Sequence, residues 1–127
     1  MIPHELKYTK DHEWVRLEGD KARVGITHHA QKQLGDIVFV ELPPVGRKAK
    51  QGERLGTVES VKAVGEVFAP LTGEVVEVNK ALGGSPDLIN KDPYGQGWLF
   101  VMRLSAPAEM ETFLDAAAYA SFAESGG

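Results

Sequence analysis

The chain has 127 residues, 43% of them hydrophobic and 25% charged, which suits one compact domain over residues 1–127 with a single core and argues against wholesale disorder. Its formal net charge of -4 favours neither nucleic acid nor an anionic membrane surface as a partner, and leaves proteins with basic docking faces. There is no cysteine, so disulfides, thiolate metal ligands and a thiol nucleophile are excluded, and any sulfur chemistry must come from an attached group.

The first ten residues carry neither a long apolar stretch nor an Arg-rich, acid-poor amphipathic pattern, and no run approaches 18 apolar residues. A cytoplasmic protein is the expectation. Strand-like runs at 14–17 and 21–26 come next. Thr27 then offers a hydroxyl to cap a helix over 28–34, with Gly35 to close it. Further runs at 37–42, 54–58, 63–68 and 73–78 are rich in β-branched residues and separated by Gly and Pro. Ser85-Pro86-Asp87 reads as the start of a single helical turn, stopped by Asn90 and Pro93. A last strand spans 98–104. After Pro107 the residues Met110, Phe113, Leu114, Ala117, Ala118, Tyr119 and Phe122 recur at helical spacing and predict a helical tail ending near Glu124. Gly52-Glu53 and Gly73-Glu74 form a weak echo on either side of residue 62, too short to establish a repeat.

Lys62 lies midway between two strand-like runs, in Glu59-Ser60-Val61-Lys62-Ala63, which places it at or near a hairpin tip. A lysine that an enzyme must acylate needs that position, because the amine has to be reachable while rigid strands hold it in a fixed frame. Ser60 and Gly65 suit the reversal. An ordinary solvated turn lysine is the competing reading, and residue type alone favours it.

The segment Glu59-Ser-Val-Lys-Ala63, followed by Ala69-Pro-Leu-Thr-Gly-Glu-Val-Val-Glu-Val-Asn79, resembles the lipoylation segment of glycine cleavage H-proteins. Tyr8-Thr-Lys-Asp-His-Glu-Trp14, Gly25-Ile-Thr27, His29-Ala-Gln31, the run 34–43, Asp92-Pro-Tyr-Gly95 and Gly97-Trp98 are similar to the family's other motifs. The downstream pair separates the chain from the shorter lipoyl domains of 2-oxoacid dehydrogenases. The resemblance implies a mainly β, barrel-sandwich hybrid fold with short helices and a C-terminal helical tail, and a lipoyl group in amide linkage to Lys62. It further implies that the arm receives the aminomethyl group of glycine from a pyridoxal-phosphate glycine decarboxylase, with loss of carbon dioxide. An aminomethyltransferase then passes the one-carbon unit to tetrahydrofolate and releases ammonia. Dihydrolipoamide dehydrogenase reoxidises the dithiol, and a lipoylating enzyme attaches the arm in the first place. The carrier itself catalyses none of these steps, and nothing demands more than a monomer.

The carried aminomethyl group bears an ammonium and is open to hydrolysis, so a cleft with carboxylates is expected; Asp11, Glu13 and Glu66 are the candidates. Members often have Ser-Asp where this chain has Gly65-Glu66, which puts the contact made by the longer Glu side chain in question. The alternatives are a lipoyl-relay protein, which uses the same lysine, and a biotin carrier, whose lysine typically has Met on both sides where here Val61 and Ala63 stand. His28 and His29 point to different faces of a helix and do not form a His-Glu-x-x-His metal pattern. Gly83-Gly84 and Gly95-Gln-Gly97 match no phosphate-binding fingerprint and read as turns, and the apolar run 98–104 reads as core. No nucleophile or acid–base set for an enzyme of its own can be assembled.

Overall fold

The structure, a computed structural model, describes residues 2–126. Its strands are β1 (Lys7–Tyr8), β2 (Glu13–Glu18), β3 (Lys21–Ile26), β4 (Ile37–Glu41), β5 (Lys48–Ala49), β6 (Arg54–Ser60), β7 (Val64–Phe68), β8 (Gly73–Val78) and β9 (Phe100–Leu104). They form a six-stranded sheet in the order β1-β2-β3-β9-β8-β5 and a three-stranded sheet in the order β4-β6-β7, with every pairing antiparallel. Three α-helices, α1 (His28–Leu34), α2 (Leu88–Lys91) and α3 (Ala116–Glu124), and two 3-10 stretches, Lys80–Gly83 and Pro107–Thr112, complete the described elements. The expected mainly β architecture with short helices and a C-terminal helix is therefore the observed one.

The strands follow from alternation. In β3, Ala22 and Val24 are buried while Lys21 and Arg23 turn outward, so one face of the ribbon is apolar. β9 lies between β3 and β8, and Phe100, Val101 and Met102 are all buried, the pattern of a strand covered on both faces. Val15, Ala22 and Met102 from the large sheet share one core cluster with Ile37, Val58 and Val67 from the small sheet, which is how the two sheets are held together. A second cluster joins Leu6, Tyr8 and Trp14 to Ala116 and Tyr119 of α3. Burying each large apolar side chain of this kind contributes roughly 1.5–3 kcal/mol.

Four expectations need correction. The helical tail is two pieces: a 3-10 stretch Pro107–Thr112, then α3. Between them Phe113 is extended and Leu114 exchanges both backbone bonds with Tyr8 (2.7 and 2.8 Å), after which Asp115 restarts the helix by accepting from Ala118 N. Ser85 does not cap α2 with its side chain; Leu88 N bonds the Ser85 carbonyl and Asp87 occupies the cap position. The strand expected from Trp98 begins at Phe100, because Trp98 N is used in closing the turn onto Gly95 O (3.2 Å). Two short strands, β1 and β5, and a 3-10 turn Lys80–Gly83 capped by Asn79 were not anticipated.

Candidate functional site: a lysine at a hairpin tip beside an acidic cleft

β6 and β7 pair from Arg54↔Phe68 to Glu59↔Val64, which leaves Val61, Lys62 and Ala63 at the tip. The reversal is built by Ser60: its N–H donates to Ala63 O (2.8 Å), and its Oγ accepts from the N–H groups of Lys62 (3.2 Å) and Ala63 (3.0 Å). This is the hydroxyl-to-backbone turn that Ser favours. Val61 N donates to Asp36 O (3.1 Å), which ties the tip to the α1–β4 connection. The N–H groups of the tip are thus satisfied while the Lys62 side chain stays exposed. Glu59 pairs with Phe39 on one side and Val64 on the other, so these three side chains share the outer face of the small sheet.

The Lys62 stem leans across Gly35. A Cβ built at Gly35 would lie 3.2 Å from Lys62 Cε, and Gly35 has φ of +91, so both space and backbone favour glycine there. The Gly35 corner is itself held by Asn90: Asn90 Nδ2 donates to Gly35 O and to Gln31 Oε1, and Asn90 Oδ1 accepts from Ile37 N, each at 2.8 Å. α1 is set from the other end by Thr27, whose Oγ1 accepts from Ala30 N (3.2 Å), as expected of a cap worth about 1 kcal/mol.

Between α1 and the β6–β7 hairpin lies a half-open cavity of about 170 Å³. Its apolar walls include Ile26, Leu34 and Val67, and its polar lining includes Asp11, His12 and Glu66. Leu34 reaches this space because Gly65 has no side chain: a Cβ there would meet Leu34 Cδ1 at 3.2 Å. Of the three carboxylates expected, Asp11 and Glu66 line this cavity. Glu66 is exposed and lies 3.8 Å from Arg54 Nε, a pair worth little in water. Glu13 is placed differently. It is buried, its Oε2 accepts from Phe68 N (2.8 Å) and its Oε1 from Thr9 Oγ1 (3.3 Å), and it borders a separate depression of about 220 Å³ with Asp11, Gln51 and Pro70. Burial pushes its carboxyl up to about 8, against the lowering effect of the Phe68 N–H bond and with a smaller upward contribution from Asp11.

His12, Gly35 and Asn90 were not singled out as site residues from the sequence. His12 sits inside the His-Glu-Trp motif but its geometry depends on α3, more than a hundred residues away; Gly35 and Asn90 carry only the local signals of a helix stop and a helix breaker. His28 Nδ1 is 3.1 Å from Gln31 Nε2, while the His29 ring lies tilted against the His12 ring with centroids 4.6 Å apart, so the two adjacent histidines do face different ways.

Two sheets folded over one core, raising a single lysine on a backbone-ordered hairpin tip next to an acidic cleft, make a carrier domain of the swinging-arm class. Residues 6–126 match the family model described as glycine cleavage H-protein. The chain is 58% identical over 125 residues to the glycine cleavage system H protein of Symbiobacterium thermophilum, covering 98% of each chain. It is also 58% identical over 116 residues to that of Thermotoga maritima, covering 91% of this chain and 94% of the relative. Its backbone is similar to the crystal structure of a glycine cleavage system H protein from Mycobacterium marinum, with a TM-score of 0.90, 43% identity, and coverage of 97% and 99% of the two chains. The chain belongs to the glycine cleavage H-protein family. It has that family's barrel-sandwich fold and its role as the lipoyl-carrier component of the glycine cleavage system.

Proposed function

We propose that Lys62 is the attachment point of the lipoyl arm and that the chain acts without catalysis of its own. The observation that carries this reading is the exposed Lys62 amine at a tip whose N–H groups are all engaged by Ser60 and Asp36. An approaching enzyme meets a free amine on an ordered frame, so acylation need not reorder the turn. The residues present fit a lipoyl group: the stem passes over Gly35, and the adjacent Leu34 lines a cavity with apolar walls and two carboxylates. When bound, that group supplies the dithiolane that takes up the aminomethyl unit of glycine and is later reoxidised.

In this reading the chain's own residues orient and shelter. Ser60 holds the tip, Gly35 gives the arm's base its path, and Leu34, Ile26 and Val67 provide apolar contact for the arm's hydrocarbon. Asp11 and Glu66 face a carried ammonium, while Glu13 accepts from Phe68 N and holds β7 in place. The partners are the pyridoxal-phosphate glycine decarboxylase, the aminomethyltransferase, dihydrolipoamide dehydrogenase and the lipoylating enzyme, acting on a cytoplasmic monomer. Val61 and Ala63 beside the lysine speak against a biotin carrier; lipoyl relay uses the same lysine and is the second reading.

Peptide mass spectrometry after incubation with a lipoylating enzyme and lipoate, followed by glycine and its decarboxylase, tests this directly. A lipoyl mass on Lys62 that then gains an aminomethyl group is the expected result. An unmodified Lys62, with the enzyme active on a control carrier, overturns the assignment.

A further inference from the structure

We propose that His12 is a positioning residue for the carried arm, fixed as one wall of the acidic cleft by the Tyr119 hydroxyl of α3. The proposal rests on the lipoyl-carrier reading and adds the C-terminal helix to the site.

Among the described residues His12 is the one non-glycine with positive φ, at 65, a conformation that costs energy and persists only when its surroundings enforce it. The enforcement is visible. His12 N donates to Thr9 O (3.1 Å), its carbonyl accepts from Thr27 N (3.0 Å), and its Nδ1 lies 2.7 Å from the Tyr119 hydroxyl. The ring is flanked by His29 of α1 at 4.6 Å and Phe122 of α3 at 5.6 Å. Tyr119 is fully buried and stacks on Tyr8 at 4.7 Å, and its hydroxyl also lies 2.7 Å from Thr27 Oγ1.

One assignment of hydrogens satisfies this whole chain. Ala30 N donates to Thr27 Oγ1, the Thr27 hydroxyl donates to the Tyr119 oxygen, and the Tyr119 hydroxyl donates to His12 Nδ1. The reverse direction leaves the buried Thr27 hydroxyl hydrogen without its acceptor in the chain, a costly state in the interior. The relay therefore runs from the cap of α1 through α3 to a side chain that lines the cavity together with Asp11 and Glu66. Histidine is among the non-glycine residues that adopt this φ more readily, so the backbone accounts for the turn and leaves the placement of the ring to its partners. A ring that is held by two helices and also forms a cavity wall does more. It keeps the cleft shaped before an arm enters and keeps water from its end. α3, in turn, is part of the site although it contributes no lining side chain to this cavity.

The test uses the full chain, lipoylated and loaded with glycine by the decarboxylase, in wild type, Tyr119→Phe and His12→Asn. Tyr119→Phe removes one hydroxyl and keeps the stack on Tyr8; His12→Asn suits the positive φ and removes the ring. The lifetime of the carried group is read from its hydrolysis, in which water replaces sulfur and nitrogen on the one-carbon unit, giving the free thiol, formaldehyde and ammonium with no change in oxidation state. Expected is a lifetime shortened about fivefold in both variants, the change that loss of one ordering hydrogen bond produces. The lipoylation rate at Lys62 should stay at the wild-type value. In the unmodified protein the Gly65 and Glu66 amide signals should broaden in both variants. An unchanged lifetime with unchanged amide signals shows that His12 is only a turn residue and overturns the proposal. If wild-type Lys62 fails to accept the arm, the carrier reading fails instead, and the amide signals, which need no arm, still decide whether Tyr119 orders the wall.

Discussion

The two long hairpins of the molecule are ordered in opposite ways. In β2–β3 the pairing runs unbroken from Glu13↔Ile26 to Glu18↔Lys21, β1 and β9 cover both edges, and Trp14, Val15, Ala22 and Val24 are buried. Its tip is closed by Gly19 at φ of +68, and the Cβ position there meets nothing. In β6–β7, by contrast, β7 is an edge strand, Val61 is 72% exposed and Val64 60% exposed, and the tip is organised by hydrogen bonds from Ser60 and Asp36. Side-chain burial fixes the first hairpin along its length; in the second, Leu55, Val58 and Val67 anchor the base in the core while hydrogen bonds to the Ser60 hydroxyl and the Asp36 carbonyl fix the tip. Holding a tip by its backbone leaves its side chains free to be recognised and modified, at the cost of exposing apolar residues beside them.

The largest effect expected from breaking this contrast is at the tip. Lys62→Arg should abolish lipoylation and carriage entirely, since guanidinium does not form the amide, while stability stays within about 0.5 kcal/mol because the side chain packs on nothing essential. Mass spectrometry and a denaturant titration on the same sample check both halves. Residual aminomethyl transfer by the variant would sink the role given to Lys62. The mirror experiment is Gly25→Ala in β3. The new Cβ would fall 2.6 Å from three atoms of the Trp14 indole, which is itself held by Nε1 donating to Pro93 O at 2.8 Å. Overpacking of this kind should cost about 3 kcal/mol in the same titration, with the lipoylation rate of the folded fraction unaffected. A tolerated alanine would mean that the Trp14 side of the sheet is looser than its burial indicates.

The scaffold half of this contrast was readable in the residues and the cleft half largely was not. Alternation and Gly/Pro spacing located β2, β3, β4, β6, β7 and β8 to within a few residues, because those strands have one apolar face and local turn chemistry. β1 and β5 are two residues each and exist only because a neighbouring strand offers them partners, so no local pattern announces them. The C-terminal tail read as one helix because Leu114 keeps the helical spacing; what broke it was a backbone exchange with Tyr8, a contact across more than a hundred residues. Lys62 stood out because its setting is local. The cleft depends on where α1, the 9–13 turn and α3 meet, and so nothing local marks Asn90 or the placement of the His12 ring, although His12 stands in the matched motif, and Glu13 beside it bonds Phe68 and borders a neighbouring depression.

Glu13 also sharpens the comparison, being a titratable group inside the hairpin that is held by burial. Its folded value is raised to about 8 by desolvation, above the ordinary carboxylate value, so the folded state holds the proton more tightly than the unfolded chain does. The stability it contributes is full below about pH 4.5 and is lost as pH rises through about 8. Glu13→Gln keeps an acceptor for Phe68 N and removes the titration. The variant should match wild type near pH 5 and exceed it by a few kcal/mol near pH 9. Chemical denaturation midpoints at the two pH values measure this, and parallel profiles would show that Glu13 finds water or a counter-charge the fold does not otherwise supply.

The smallest effect separates the tip's frame from its reactive group. Gly35→Ala places a side chain where φ is +91 and ψ -153, a region that is essentially glycine's own, so a destabilisation of about 1–2 kcal/mol is expected from strain alone. The same methyl would meet Lys62 Cε at 3.2 Å, but the lysine stem is flexible and exposed and can move aside. The amine should therefore remain a substrate for lipoylation at close to the wild-type rate, while the attached arm, pushed off its path over residue 35, should spend less time in the cleft. Amide shifts of Gly65 and Glu66 on lipoylation report that occupancy: they should shrink in the variant. Full-sized shifts in a lipoylated Gly35→Ala protein would mean that the arm reaches the cleft by another route, and that the lean of Lys62 across Gly35 belongs to the unmodified lysine alone.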